Sequence, residues 1–235
     1  MQIRRFAQLS AFVALLSAPA LASANTLTLT DYGTTGAFGT NAPGGGGPFL
    51  ATATDTTLGD AGSLITFCLE FNEHFSYGGT YLYEESPAAI SGGVSGGNPD
   101  PVDNATKWLY GQVVSGGWSS AFINGSNNWA TANVGARVQE AIWYIEGERQ
   151  QSEISGDSFG LATYAINNFS SWTAPAGYSF FALNLTDASG GRYQDQLGWR
   201  YRVTGQDVPV PEPASLVLLG TGLLFASRAR LRRRR

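Results

Sequence analysis

The sequence predicts an α+β fold, a β-sandwich or barrel-like sheet with a helical insert, because the spacing of apolar residues changes twice along the chain. Polar and apolar residues alternate toward both ends of the folded part, which is typical of strands. In the middle, apolar residues recur every three or four positions, which is typical of helices. We therefore expect strands to flank a helical middle.

Five segments have the period-two pattern of strands. They cover residues 26–30, 63–71, 80–84, 178–186 and 199–204. The segment 63–71 has apolar residues on both faces, which favours a buried strand. The last two segments follow each other closely, so we expect them to pair antiparallel. Residues 33–48 and 86–101 are rich in Gly, Ser and Pro and predict loops.

Three helices are predicted between these strands. Asp103 is a suitable N-cap for the first, and the glycines at 116–117 end it. The second is indicated by one apolar face that Gly147 ends, made of Val134, Val138, Ile142 and Ile145. Asp157 is the predicted cap of a third helix that runs to about residue 169.

The N-terminal residues have the pattern of a secretory signal peptide. Arg4 and Arg5 precede a short apolar run, and small residues follow at 22–24. We predict a signal peptide over residues 1–24, with cleavage between Ala24 and Asn25. Residue 25 is not a cysteine, so a lipoprotein anchor is not expected. The chain is therefore predicted to be exported.

The C-terminal residues form a second targeting pattern. Pro211, Glu212 and Pro213 precede an apolar run at 214–226, and a cluster of arginines follows. The run is shorter than the ~20 residues of an ordinary membrane span, although flanking arginines can extend it. By the positive-inside rule the arginines stay in the cytoplasm while the body lies outside.

This tripartite C-terminus resembles the PEP-CTERM sorting signal of exopolysaccharide-producing Gram-negative bacteria. The resemblance implies transient anchoring in the inner membrane by a short transmembrane helix and processing by an exosortase-type enzyme. Delivery to the cell surface, or to the extracellular matrix of a biofilm, would follow. We divide the chain into the signal peptide, one extracellular domain over residues 25–207, and a sorting tail over residues 208–235.

The charge of the predicted domain excludes several classes of function. It retains six of the 14 basic residues and 17 of the 18 acidic ones, a net charge near −11. Such a surface repels nucleic acid, so no nucleic-acid partner is expected. One histidine and one cysteine fall short of an ordinary metal-ligand set, so we expect no metal and no cofactor. Turnover by an acidic pair at Glu70 and Glu73 is disfavoured, because strand alternation sends them to opposite faces. We expect no enzyme.

Cys68 requires an explanation, because an exported chain with one cysteine has no internal disulfide partner. An intermolecular bridge, a reactive thiol and an inert buried thiol are all open. A second motif, Val138-Gln139-Glu140-Ala141-Ile142-Trp143, lies on the second predicted helix. There Gln139 borders the apolar face and is followed one turn later by Trp143.

Phe67-Cys68 together with this helical motif resembles the thioester domains of Gram-positive surface adhesins. The segment at Lys107-Trp108-Leu109-Tyr110-Gly111 is similar to one that the family places between the two motifs, and the resemblance covers about residues 60–170. It implies an internal bond between the Cys68 sulfur and the Gln139 side-chain carbonyl. The residues that would shield this bond from water are Phe67, Val138, Ile142 and Trp143.

The function implied is attachment of an exported protein to the surface or matrix. A polysaccharide hydroxyl or a protein amine would displace Cys68 and become joined covalently to Gln139, once per molecule. The alternative is a non-covalent matrix or carbohydrate-binding protein, in which Cys68 is merely buried. Its candidate platform is aromatic and consists of Trp118, Trp129, Trp172 and Trp199. His74, near Cys68 in sequence, is a possible base for acyl transfer or an exposed turn residue.

Overall fold

The computed structural model describes residues 25–32, 42–90, 93–95, 97–115 and 134–202. The signal peptide, the cleavage bond after Ala24 and the sorting tail lie outside these residues, as do Trp118 and Trp129. Within the described ranges, the structure combines a strand-rich sheet with three α-helices, so the predicted α+β class is confirmed.

One antiparallel sheet of six strands, in the order β3-β2-β1-β4-β7-β8, forms the frame of the domain. Its strands are β1 (Thr26–Asp31), β2 (Phe49–Ala53), β3 (Ser63–Thr66), β4 (Thr80–Ser86), β7 (Tyr178–Thr186) and β8 (Gln196–Tyr201). Two short strands, β5 (Ala88–Ala89) and β6 (Asp100–Pro101), pair separately. The last two strands of the six pair antiparallel, as expected, with Tyr178 opposite Tyr201.

The sheet nearly closes into a barrel along a seam between the residues that follow β3 and the start of β8. The amide of Leu197 donates to the carbonyl of Phe67 at 2.9 Å, and the amide of Leu69 donates to the carbonyl of Asp195 at 3.0 Å. Cys68 lies between these bonds, opposite Gln196. The cysteine is therefore part of the seam that joins the two edges of the sheet.

The three helices pack together beside the sheet. They are α1 (Asn104–Val114), α2 (Val134–Ile145) and α3 (Gly156–Phe169), with a short 3-10 turn at Gln151–Glu153. In α1, the predicted cap is confirmed, because the Asp103 carboxylate accepts from the amide of Ala105. The buried Glu140 of α2 accepts from the amide of Ser155 at 3.0 Å and from the hydroxyl of Ser158 at 2.7 Å. These bonds fix α2 against the start of α3.

The structure differs from the sequence-based expectations in several details. The strand β2 was not predicted, and β8 begins at Gln196 instead of residue 199. The strand predicted over 63–71 ends at Thr66, because the residues after it leave β2 and pair across the seam instead. The cap of α3 is Ser155 and not Asp157; Asp157 lies in the first turn and forms an ion pair with Arg137 at 2.8 Å. The predicted loop 86–101 contains β5 and β6 at its two ends.

Candidate functional site

The carboxamide of Gln139 is the most completely bonded side chain at the junction of α2 and the seam. Its oxygen accepts from the amide of Cys68 at 2.8 Å and from the amide of Gly47 at 2.9 Å. Its nitrogen donates to the carbonyl of Cys68 at 2.8 Å. Gln139 has no exposed surface. The structure thus brings the Gln139 carboxamide into contact with the backbone of Cys68.

Two backbone N–H groups directed at one carbonyl oxygen have a chemical consequence. They withdraw electron density from the carbonyl and would stabilise negative charge on that oxygen if a nucleophile attacked the carbon. The arrangement has the form of an oxyanion hole, built from Cys68 and Gly47, around a side-chain amide of the protein itself. An unactivated amide is a poor electrophile, and a nucleophile that attacked this one would meet two donors at the oxygen where charge develops.

The thiol of Cys68 is buried at the same place. Only 2% of the residue is exposed, and the side-chain nitrogen of Gln196 lies 3.6 Å from its sulfur. Burial raises the pKa of the Cys68 thiol to about 12, while the amide donors of Gln196 and Gly47 oppose that rise. The sulfur is therefore a protonated, apolar-like group at neutral pH, and a thiolate forms there only against the cost of desolvation.

A loop of four glycines, residues 44–47 and named the glycine loop, covers Gln139 and is part of the site. A Cβ atom on Gly46 would lie 2.3 Å from the Trp143 ring and 2.6 Å from Cγ of Gln139. On Gly47 it would lie 3.0 Å from the carbonyl oxygen of Thr66. Only glycines let the backbone approach Gln139 this closely, and the approach is what lets the Gly47 amide reach the carboxamide oxygen. Sequence analysis identified this segment only as a loop.

The residues predicted to shield the pair are buried in the core. Phe67, Val138, Ile142 and Trp143 are each at most 2% exposed. Phe71 packs edge-on against Trp143 with ring centroids 5.0 Å apart. The guanidinium of Arg149 lies 4.2 Å from the centre of the Phe71 ring, so a cation–π contact closes the outer side of this layer.

A cavity of about 170 Å³ connects Cys68 with the surface. Its wall is formed by the glycine loop, by aromatic rings and by polar side chains that include Glu73, His74 and Gln194. Trp143 contributes to the wall beside Cys68, and Tyr77, with 55% of its surface exposed, stands at the outer part. A small molecule that enters this cavity therefore reaches a wall that includes Cys68.

Glu70 and Glu73 lie beyond the end of β3, so strand alternation does not determine their positions, and their surroundings differ. Glu70 is 2% exposed and one of its oxygens lacks a hydrogen-bond partner, whereas the Glu73 carboxylate accepts from the amide of Asp195 at 3.1 Å and lines the cavity. Burial, with the nearby carboxylate of Glu148, raises the pKa of Glu70 to about 8. Within the described ranges, no group of three or more Asp, Glu, His or Cys residues is placed to hold a metal ion.

The predicted aromatic platform is not an open surface where the structure describes it. Trp199 is 7% exposed, and Trp172 is partly buried against Phe180 with ring centroids 5.7 Å apart. The exposed aromatic residues of this region are Tyr178 on β7 and Tyr201 on β8. Their ring centroids are 4.7 Å apart.

Comparison with known proteins identifies the C-terminal targeting pattern. Residues 209–235 match the family model of the PEP-CTERM protein-sorting motif, and they include Pro211, Glu212 and Pro213. No curated protein and no solved structure matches the chain. The motif marks an exported protein that is sorted by an exosortase at the membrane. In the part of the chain that the structure describes, no helix is long and apolar enough to cross a membrane.

Proposed function

We propose that this exported protein attaches covalently to a component of the cell surface or matrix through an internal thioester between Cys68 and Gln139. The observation that carries the proposal is the contact of the two residues, with the Gln139 oxygen held by two backbone amides. The protein would act once per molecule, as an attachment device and not as an enzyme.

Formation of the bond is a balanced exchange within the chain. The Cys68 sulfur attacks the side-chain carbonyl carbon of Gln139, the carbon–nitrogen bond breaks, and the amide nitrogen leaves as ammonia with the thiol proton. The amides of Cys68 and Gly47 stabilise the oxygen while it carries negative charge. Proximity supports the step, because the Gln139 carboxamide bonds to the backbone of the residue that carries the sulfur, and proximity replaces the high reactant concentration needed in solution.

Burial supports the survival of such a bond. A thioester exposed to water hydrolyses, so a site that keeps one must exclude bulk solvent. Gln139 has no exposed surface and Cys68 has 2%. The glycine loop, Trp143 and Phe71 provide the cover, and the cavity gives an acceptor an approach toward Cys68.

In the proposed transfer, the acyl group of residue 139 passes from Cys68 to an acceptor outside the cell. An acceptor hydroxyl or amine attacks the acyl carbon, the carbon–sulfur bond breaks, and Cys68 regains its proton. The acceptor is then held by an ester or an amide to residue 139. An exosortase-sorted protein with this property would be joined to the surface or matrix that it reaches.

The test is the intact mass of the protein purified from the periplasm of its expression host, beside a Cys68→Ala variant. We expect the parent to be lighter than its calculated mass by one ammonia and the variant to match its calculated mass. Methylamine should then raise the mass of the parent by one methylamine and leave the variant unchanged. A peptide containing Gln139 should carry the added group.

A Gln139→Glu variant is the matched control, because a carboxylate lacks the leaving amine. It should show a free Cys68 thiol after unfolding and no methylamine adduct. A parent at its calculated mass, with a Cys68 thiol that titrates on unfolding, would overturn the thioester. The protein would then be better described as a non-covalent matrix protein with a buried cysteine.

A further inference from the structure

His74 lies in the wall of the cavity, although formation of the thioester does not require it. It is the one histidine of the chain, its side chain is exposed, and it lines the cavity that leads to Cys68. The preceding residue, Glu73, is held by the amide of Asp195 at 3.1 Å and also lines the cavity. The carbonyl of His74 accepts from the amide of Gln194 at 3.2 Å, so the backbone at this position is fixed to the segment before β8.

We propose that His74 is the general base that activates a saccharide hydroxyl for transfer to the acyl group of Gln139. The inference rests on the proposed thioester and adds the class of acceptor and the residue that selects it. A hydroxyl is a weak nucleophile while it keeps its proton, and a base in hydrogen-bond reach removes this obstacle. An unprotonated amine attacks without such help.

The wall of the cavity is suited to a sugar. Four aromatic residues line it, namely Phe71, Phe75, Tyr77 and Trp143. Aromatic rings present large, rigid apolar surfaces against which the C–H faces of a sugar ring can pack. Tyr77 is largely exposed, whereas Trp143 is buried beside Cys68, so the aromatic lining extends from the surface toward the sulfur.

The proposed step balances in atoms and protons. The acceptor oxygen forms a bond to the acyl carbon of Gln139 while its proton passes to the His74 imidazole. The bond between that carbon and the Cys68 sulfur breaks, and the imidazole returns the proton to the sulfur. Since burial raises the pKa of the Cys68 thiol to about 12, the sulfur leaves readily only if it is protonated. The products are an ester and a thiol, with no other reactant.

The experiment compares the exported parent with His74→Gln, using methyl glucoside as the hydroxyl probe and methylamine as the amine probe. Both proteins should be lighter by one ammonia, which shows that the thioester forms without His74. We expect His74→Gln to form the glucoside ester on the order of 100-fold more slowly, the usual scale of general-base assistance. Its rate of methylamine addition should change less than about threefold, because an amine does not need the base.

Two further variants separate catalysis from structure. Imidazole in the buffer should restore glucoside transfer in His74→Ala, which a purely structural role would not allow. Asn72→Ala, an exposed change two residues away, should behave as the parent. Equal glucoside rates in parent and His74→Gln would overturn the inference, and so would a parent that reacts with methylamine only. A parent at its calculated mass would instead overturn the thioester itself.

Discussion

Gln139 and Cys68 are joined by two hydrogen bonds of opposite direction, each 2.8 Å long, between one side-chain amide and one backbone unit. The two residues are 71 positions apart in sequence. The contact therefore connects α2 to the seam of the barrel before any bond forms, and formation of the thioester would remove the nitrogen that donates to the Cys68 carbonyl. Its contribution to folding can be measured apart from any chemistry.

Removal of the Gln139 side chain should destabilise the fold when Cys68 cannot react. We compare Cys68→Ala with the double variant Cys68→Ala/Gln139→Ala. The second change leaves the amides of residues 47 and 68 and one carbonyl buried without partners, so we expect a loss of about 3 kcal/mol in unfolding free energy. Urea denaturation measures it. Gln151→Ala, at an exposed position, is the control, and a loss as small as the control's would contradict the prediction.

A methyl group on Gly46 should open the cover of the site. In Gly46→Ala the new Cβ meets Trp143 and Gln139 at distances that force a shift, so we expect a loss of about 1–3 kcal/mol and a smaller fraction of molecules light by one ammonia. Urea denaturation and intact mass measure the two effects. Gly160→Ala lies in α3 with nothing within 4 Å of the new atom. It should instead gain about 0.5–1 kcal/mol, and an equal result for both variants would count against the close packing.

Glu70 should make stability fall as pH rises. Its pKa is raised from 4.5 to about 8 in the fold, so the folded state keeps a proton that the unfolded chain releases over that range. Stability from this group is complete below pH 4.5 and is lost as pH approaches 8. Glu70→Gln keeps the shape without the charge and should show a shallower decline between pH 5 and about 8 in urea denaturation.

Asp195, whose pKa burial raises to about 7, contributes a decline of the same sign, so the slope of the variant should be reduced and not abolished. The control is Glu84→Gln, an exposed carboxyl on β4, which should retain the slope of the parent. Identical slopes in the parent and Glu70→Gln would show that Glu70 does not hold the proton.

Arg200 on β8 should contribute strongly to the stability of the barrel. It is 4% exposed and forms ion pairs with Asp55, at 2.9 Å, and with Glu85. Arg200→Met leaves both carboxylates without their cation, and we expect a loss of about 2–3 kcal/mol in unfolding free energy. Thermal and urea denaturation test this. Arg202→Met, just beyond β8 and exposed, should cost less than about 0.5 kcal/mol. A similar loss of unfolding free energy in both variants would contradict a stabilising role for the two Arg200 ion pairs.

Local patterns predicted the helices and most strands, because their period depends on neighbouring residues. The apolar positions 134, 138, 142 and 145 fall within α2, and the change to period two after residue 177 coincides with β7. The end of β3 at Thr66 could not be predicted, since the residues beyond it keep an apolar pattern and only change their pairing partner across the seam. That partner is set by closure of the sheet.

The candidate pair was predictable from two short motifs, but its surroundings were not. Gly47 contacts Gln139 across 92 positions, and nothing in a run of glycines indicates which side chain it will cover. Gln196 lies near the sulfur because β8 pairs with the residues that follow β3. His74 lines the cavity through the same tertiary arrangement, which no local pattern indicates. The glycine run predicted a loop and no more, because its role depends on a contact that forms only in the folded chain.

The seam has a consequence for motion. The residues on each side of Cys68 hold the barrel shut through the amides of Leu69 and Leu197, so a transient separation of these edges would admit water to the sulfur. The hydrogen-exchange rate of those two amide protons would then report how often the two edges separate. The same opening would set the lifetime of any acyl bond inside the barrel, because hydrolysis could occur only while the edges are apart.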